Sequence, residues 1–183
     1  IDDFGLISIM YHRFNETKYP STNIQMDIFK EQLKIIESEG IKFINPKNFQ
    51  QSLSKNKKER KILFTVDDGL SSFYENAWPI LKEKNIPFIL FVNTENVGSY
   101  NYMNWEQILE LYNSDNVEIG NHSHSHGYLV EESPENIKND IIKSIKIFEN
   151  KLGKNSQFFS YPFGEYSLEF KKIIKDLGFK YAF

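Results

Sequence analysis

Apolar residues along this chain fall into short runs separated by longer segments of helical spacing. Leu6–Met10, Ile41–Ile44, Lys61–Val66, Pro87–Val92, Val117–Gly120, Gln157–Tyr161 and Gly178–Phe183 read as strands. Leu6–Met10 is expected to be buried, and Pro87–Val92 is apolar almost throughout, the mark of a strand covered on both faces. Between the strands lie segments with period 3.6. Asn23–Gly40 places Ile28, Phe29, Leu33, Ile35 and Ile36 on an apolar face, and Gly40 supplies a stop. Pro46 opens a short helix through Leu53, and Ser54–Arg60 reads as a polar, lysine-rich connection. Ser71–Lys84 turns Phe73, Ala77, Ile80 and Leu81 inward, with Pro79 expected to bend or delay it. Asn104 caps Trp105–Tyr112, Ser133-Pro134-Glu135 starts a long helix to Leu152 before Gly153, and Ser167 caps a helix to Leu177. Alternating strands and helices predict an α/β fold of parallel strands with crossover helices, either a barrel or an open doubly wound sheet.

The 183 residues suffice for one domain with a substantial core, and residues 1–183 are read as a single domain. Phe and Tyr are abundant, at 16 and 10, which also suits a sugar-binding cleft, although most of those rings must belong to the core. The net charge of −3 comes without a basic block, so nucleic acid is not an expected partner. With no cysteine, thiolate ligands and disulfides are excluded. No apolar run approaches the ~18 residues of a membrane span. The first residue is Ile1 rather than Met, so a processed or trimmed product is expected, and the strand that stops at Phe183 implies that more chain once followed.

Candidate chemistry clusters where strands end. Lys61–Val66 runs into Asp67-Asp68-Gly69, which is also the ordinary composition of a solvated turn. Val117–Gly120 delivers Asn121-His122-Ser123-His124-Ser125-His126, three of the chain's four histidines. His122 and His126 stand one helical turn apart, whereas His122 and His124 would share a face if extended. Neutral imidazoles with one carboxylate are a common set for a catalytic zinc that keeps an open position. The fourth histidine, His12, follows the first strand and reads equally well as a structural residue.

Three segments together resemble the polysaccharide deacetylases, the NodB-homology or carbohydrate esterase family 4 group. Thr65-Val66-Asp67-Asp68-Gly69 resembles the first motif, His122-Ser123-His124-Ser125-His126 the second, and Phe159-Ser160-Tyr161-Pro162-Phe163-Gly164 the third, in the family's order. Met10–Phe14 and Asn104–Gln107 also look like members. The resemblance implies a distorted (β/α)7-type barrel, circularly permuted or incomplete. It implies that Asp68, His122 and His126 bind zinc or another divalent transition metal, that Asp67 is the general base, and that the Phe163 N–H helps hold an oxyanion. His124 falls on a variable position and is not counted as a ligand. Tyr11-His12 and Tyr161-Pro162-Phe163-Gly164 are similar to the poly-N-acetylglucosamine deacetylase branch, in which a Tyr-His near the N-terminus supplies the catalytic acid, here His12.

The implied activity is hydrolysis of N-acetyl groups from an N-acetylglucosamine-containing polysaccharide with release of acetate. An extracytoplasmic or cell-envelope location follows from the family alone. Two features depart from it. Ser160 replaces the third motif's arginine, with Arg13 as a candidate substitute in orienting Asp67, and the late tryptophan-containing and Leu-x-His motifs are absent. Trp105, Tyr128, Tyr161 and Tyr166 are candidates for a sugar-stacking wall or for packing. An amidohydrolase-type barrel also uses His-x-His, but early in the chain and with later histidines. A non-catalytic glycan-binding module on the same fold is the other alternative, disfavoured by retention of both aspartates.

Overall fold

The computed structural model describes residues 5–53 and 59–183. In chain order the elements are β1 (Gly5–Tyr11), β2 (Arg13–Phe14), β3 (Asn23–Ile24), α1 (Met26–Ser38), β4 (Lys42–Phe43), α2 (Phe49–Ser52), β5 (Arg60–Val66), α3 (Trp78–Glu83), β6 (Phe88–Val92), α4 (Trp105–Tyr112), β7 (Val117–Asn121), α5 (Pro134–Leu152), β8 (Phe158–Phe159), α6 (Leu168–Asp176) and β9 (Tyr181–Ala182). Seven strands form one sheet in the order β1-β5-β6-β7-β8-β9, with β4 beside β5. Every pairing is parallel. β1 and β9 stay unpaired with each other, so the sheet curls into an incomplete barrel of the kind the sequence implies. Parallel pairing places every strand's C-terminal end on one rim.

The central strands β5, β6 and β7 are buried on both faces, and the alternation of side chains separates two cores. Phe64, Val66, Phe88, Leu90, Val92, Val117 and Ile119 face the helical layer, where they meet Phe29 and Leu33 of α1, Leu81 of α3, Leu111 of α4 and Phe148 of α5. Leu63, Ile89, Phe91 and Phe158 face the opposite way and pack with Ile44 and Phe49 inside the curl. A third cluster joins Ile137 and Ile141 of α5 to Phe170 and Ile174 of α6 and to Phe159. Gly120 on β7 opposes Phe91 on β6, and a Cβ there would lie 2.2 Å from the Phe91 ring.

Several local expectations need correction. β1 is an edge strand rather than a buried one, with Ile7 and Met10 more than 60% exposed, because among the described residues only β5 flanks it. Asn23 and Ile24 pair with Arg13 and Phe14 before α1 begins. On α1 the buried stripe is Phe29, Leu33 and Ile36, while Ile28 and Ile35 face outward. The helix starts at Ser71 as expected, and Pro79 is accommodated by a π turn over residues 73–77, after which α3 begins one residue before the proline. The expected connection Ser54–Arg60 includes residues 54–58, which lie outside the described residues, and Arg60 already belongs to β5. The caps at Asn104, Ser133 and Ser167 form as the sequence suggests, Asn104 as a full capping box with Gln107.

Candidate active site

Four strands deliver the candidate residues to the C-terminal rim. Pairing of Tyr11 with Val66 places His12 next to Asp67, and the Asp67 N–H donates to the Tyr11 carbonyl at 2.8 Å. The ladder runs one residue past β7, where His122 N–H donates to the Val92 carbonyl at 3.0 Å. Beyond β8, Ser160 N–H donates to the Asn121 carbonyl at 2.9 Å. Two adjacent aspartates on a strand would point apart, but Asp68 takes a left-handed conformation (φ 75°), as does Gly69 (φ 71°). The turn therefore begins at Asp68 itself, a residue type that tolerates this region better than most. Ser123, His126 and Phe163 are also left-handed, so strained backbone concentrates at this rim.

Asp68, His122 and His126 converge. Asp68 Oδ1 lies 3.2 Å from His126 Nε2 and 3.6 Å from His122 Nε2. Ligand atoms of the three lie within 4.8 Å of one another. His122 Nδ1 is 2.8 Å from the Ser160 carbonyl, which can only accept, so Nδ1 carries the proton. In the neutral ring, Nε2 is then a lone pair aimed at a carboxylate, and Asp68 Oδ1 is shielded from solvent without a hydrogen-bond partner. Converging acceptors of this kind are reconciled either by a proton on an imidazole Nε2 that donates to Asp68 or by a metal ion between them. Burial favours neutral His122, yet Asp68 and Asp67 outweigh it and raise its pKa. Burial likewise pushes Asp68 up, but the two imidazoles hold it well below the usual carboxylate range. The donor set, orphaned oxygen and fixed tautomer fit a divalent metal.

Asp67 is only 4% exposed. Ser160 Oγ donates to its Oδ2 at 3.1 Å, and its Oδ1 has no partner. Burial raises its pKa, against the opposing effects of His122, His12 and the Ser160 hydrogen bond. Ser160 itself thus stands where the resemblance expects an arginine. Arg13 does not substitute: its guanidinium pairs with Glu16 at 3.1 Å and lies 4.6 Å from the Tyr19 ring centroid.

His124 points away from the cluster, with Nδ1 2.8 Å from Thr94 Oγ1, in keeping with its exclusion from the ligand set. The Phe163 ring is 61% exposed and lies 4.8 Å from that of His126 and 5.5 Å from that of Tyr128. Tyr128 and Tyr166 are exposed as well. Tyr161 is a correction: its ring is packed among Phe159, Tyr166 and Phe170 with 7% exposure, so it is core and not a substrate contact. Trp105 leans on the main core and meets Phe148 edge-on. Asn93 escaped the sequence reading. It is buried just past β6, and its Nδ2 donates to the Asp68 carbonyl at 3.3 Å. Its place at the same strand-end rim was the available signal.

Fold and site together define a parallel α/β barrel protein with a two-histidine, one-aspartate centre at its C-terminal rim. The polysaccharide deacetylase family model matches residues 54–182, and the chain belongs to that family. It is 28% identical over 192 residues to the poly-β-1,6-N-acetyl-D-glucosamine N-deacetylase of Staphylococcus aureus (strain MSSA476), covering 97% of this chain and 66% of that protein. It spans 61% of another curated relative, from Bacillus subtilis (strain 168). IcaB from Ammonifex degensii superposes with a TM-score of 0.89 at 26% identity, over 98% of this chain and 83% of that one. A de-N-acetylase from Aggregatibacter actinomycetemcomitans shares the fold, with a TM-score of 0.86 at 16% identity over 97% of this chain and 86% of that one.

Proposed function

We propose that this domain is a metal-dependent N-deacetylase of a poly-N-acetylglucosamine-type polysaccharide, acting outside the cytoplasm at the cell envelope. The observation that carries this reading is the convergence of Asp68, His122 and His126 beside a buried second carboxylate, Asp67, in a chain of the deacetylase family. Similarity to the staphylococcal enzyme and to IcaB supports the substrate class. Among the described residues, no helix is long and apolar enough to cross a membrane.

In this reading Asp68, His122 and His126 hold a divalent transition metal, zinc in the first instance. Such an ion supplies Lewis acidity, making water a nucleophile near neutral pH and polarising the acetamide carbonyl. Asp67 Oδ1, free of other partners, accepts a proton from the attacking water. Ser160 keeps that carboxylate turned toward the centre. The Phe163 N–H, set in a left-handed turn, faces the oxyanion as it develops. His12, beside Asp67, protonates the amine as the C–N bond breaks, because an amide nitrogen leaves poorly without a proton. The products are acetate and a free amino sugar. The exposed rings of Tyr128, Phe163 and Tyr166 offer apolar faces to the sugar.

The test is acetate release from N-acetylglucosamine oligomers by zinc-loaded protein, with Asp67→Asn, His12→Ala and a chelator alongside. Wild-type release should fall roughly 10²-fold or more in each variant, with bound metal unchanged. Stoichiometric metal with no acetate from any oligomer would point instead to a glycan-binding module. Full activity in Asp67→Asn would refute the base.

A further inference from the structure

The loop that carries His122 and His126 is held by side chains as well as by backbone pairing, in which the Ser123 and His124 carbonyls accept from the Thr94 and Glu95 N–H groups at 3.3 and 3.0 Å. Five consecutive N–H groups each donate to a side-chain oxygen. Ser123 N–H donates to Asn121 Oδ1 (3.0 Å), His124 N–H to Asp140 Oδ1 (2.8 Å) and Ser125 N–H to Asp140 Oδ2 (3.1 Å). His126 N–H donates to Ser123 Oγ (3.0 Å) and Gly127 N–H to Ser125 Oγ (3.1 Å). Three of the five acceptor oxygens belong to residues in or beside the loop, Asn121, Ser123 and Ser125, and the other two are those of Asp140. Only Asp140 is remote, reaching in from α5. One turn further along α5, the buried Ser144 Oγ donates to Asn121 Oδ1 at 3.0 Å, bracing the acceptor of the first N–H.

The loop needs such bracing. Ser123 and His126 sit at φ 68° and 53°, left-handed conformations that persist only where the surroundings enforce them. A carboxylate that takes two successive N–H groups, one per oxygen, fixes the rotation of the peptide between them. That peptide lies midway between the two histidines. Through it Asp140 sets where His126 stands relative to His122 and Asp68, although it touches none of the three side chains in question.

We propose that Asp140, seconded by Ser144, is a positioning residue for the metal centre: it holds the His122–His126 loop in the conformation that brings both imidazoles to Asp68. This rests on the metal-centre reading above, but its test reads metal affinity and needs no substrate. Metal-free full-length wild type, Asp140→Ala, Asp140→Asn and Ser144→Ala are titrated with Co²⁺, following both affinity and the visible d–d spectrum. Thermal unfolding of the metal-free proteins is measured in parallel. Asp140→Ala should bind roughly 10–100-fold more weakly with an altered Co²⁺ spectrum, the loss typical of residues that orient ligands from behind. Asp140→Asn keeps one acceptor oxygen and should recover part of the affinity. Ser144→Ala should lose less than Asp140→Ala. If Asp140→Ala and Asp140→Asn match wild-type affinity and spectrum while only unfolding temperature drops, Asp140 is merely structural and the proposal fails. If Asp140→Ala does not fold, wild-type behaviour in Asp140→Asn and Ser144→Ala overturns it equally. Failure of wild type to bind Co²⁺ would instead remove the metal-centre reading itself.

Discussion

Ser160 makes two contacts from one residue, and a single substitution separates them. Its hydroxyl donates to Asp67 Oδ2, while its backbone carbonyl accepts from His122 Nδ1. Ser160→Ala deletes the first contact and keeps the second. A hydrogen bond to a charged group contributes about 1.5–3 kcal/mol. Asp67 is nearly inaccessible to solvent, so little water replaces the hydroxyl. The lost contact therefore moves the Asp67 pKa further upward. The sign follows from the chemistry: the hydroxyl favours the ionised carboxylate, and the proposed base works only when ionised. The acid limb of kcat/KM should therefore move to higher pH, adding to the upward push of burial. Metal affinity should stay within about twofold of wild type, because the carbonyl that fixes the His122 tautomer remains. The assay is a pH profile of acetate release, with a competitive metal titration of the same samples. An unmoved acid limb would refute the role of Ser160 in holding the base. A tenfold loss of metal affinity would show that the substitution acts through the backbone instead.

Asp67→Asn should stabilise the metal-free protein while abolishing turnover. Its folded pKa is raised, so above that pKa folding must bury a carboxylate where its charge is disfavoured. The gain in unfolding temperature over wild type should therefore appear at neutral pH and vanish as pH falls below the unfolded value, and an equal gain at low pH would contradict it. Gly120→Ala should destabilise by about 1–3 kcal/mol, because the new methyl meets the buried Phe91 ring at 2.2 Å. In a domain of this size each kcal/mol lowers Tm by about 2–4 °C, and an unchanged Tm would mean that Phe91 moves freely.

Fold class was legible because parallel strands covered on both faces, such as Phe88–Val92, leave continuous apolar runs, and because Asn104, Ser133 and Ser167 mark helix starts. The edge position of β1 was not legible. Ile7 and Met10 look like core residues, and only the sheet order exposes them. For the site, strand ends and spacing marked where the acids and histidines would gather but left His124 and His126 as alternatives, and only the resemblance of the three motifs singled out Asp68, His122 and His126, whose ligand atoms lie within 4.8 Å of one another. The partner of Asp67 was not legible. Asp67 and Ser160 are 93 residues apart, and a serine in place of an arginine signals a loss before it signals a hydroxyl at 3.1 Å. Asp140 is quieter still. On α5 it is one acidic residue among several, and its two N–H partners become visible only when the loop has a shape. Tyr161 misled for the opposite reason, since an aromatic in a motif reads as a contact until its neighbours show it to be core.

The distance along the chain between Asp67 and Ser160 also orders events in time. A ribosome adds about 5–20 residues per second, so Ser160 emerges roughly 2–7 seconds after His126. Throughout that interval Asp68, His122 and His126 all exist, but the acceptor for His122 Nδ1 and the donor to Asp67 do not. β8 has not yet joined β7 either, because their one registered pair is Asn121 with Phe159. The nascent chain therefore holds its three convergent side chains before it can aim them, and the centre is completed only once β8 has been made.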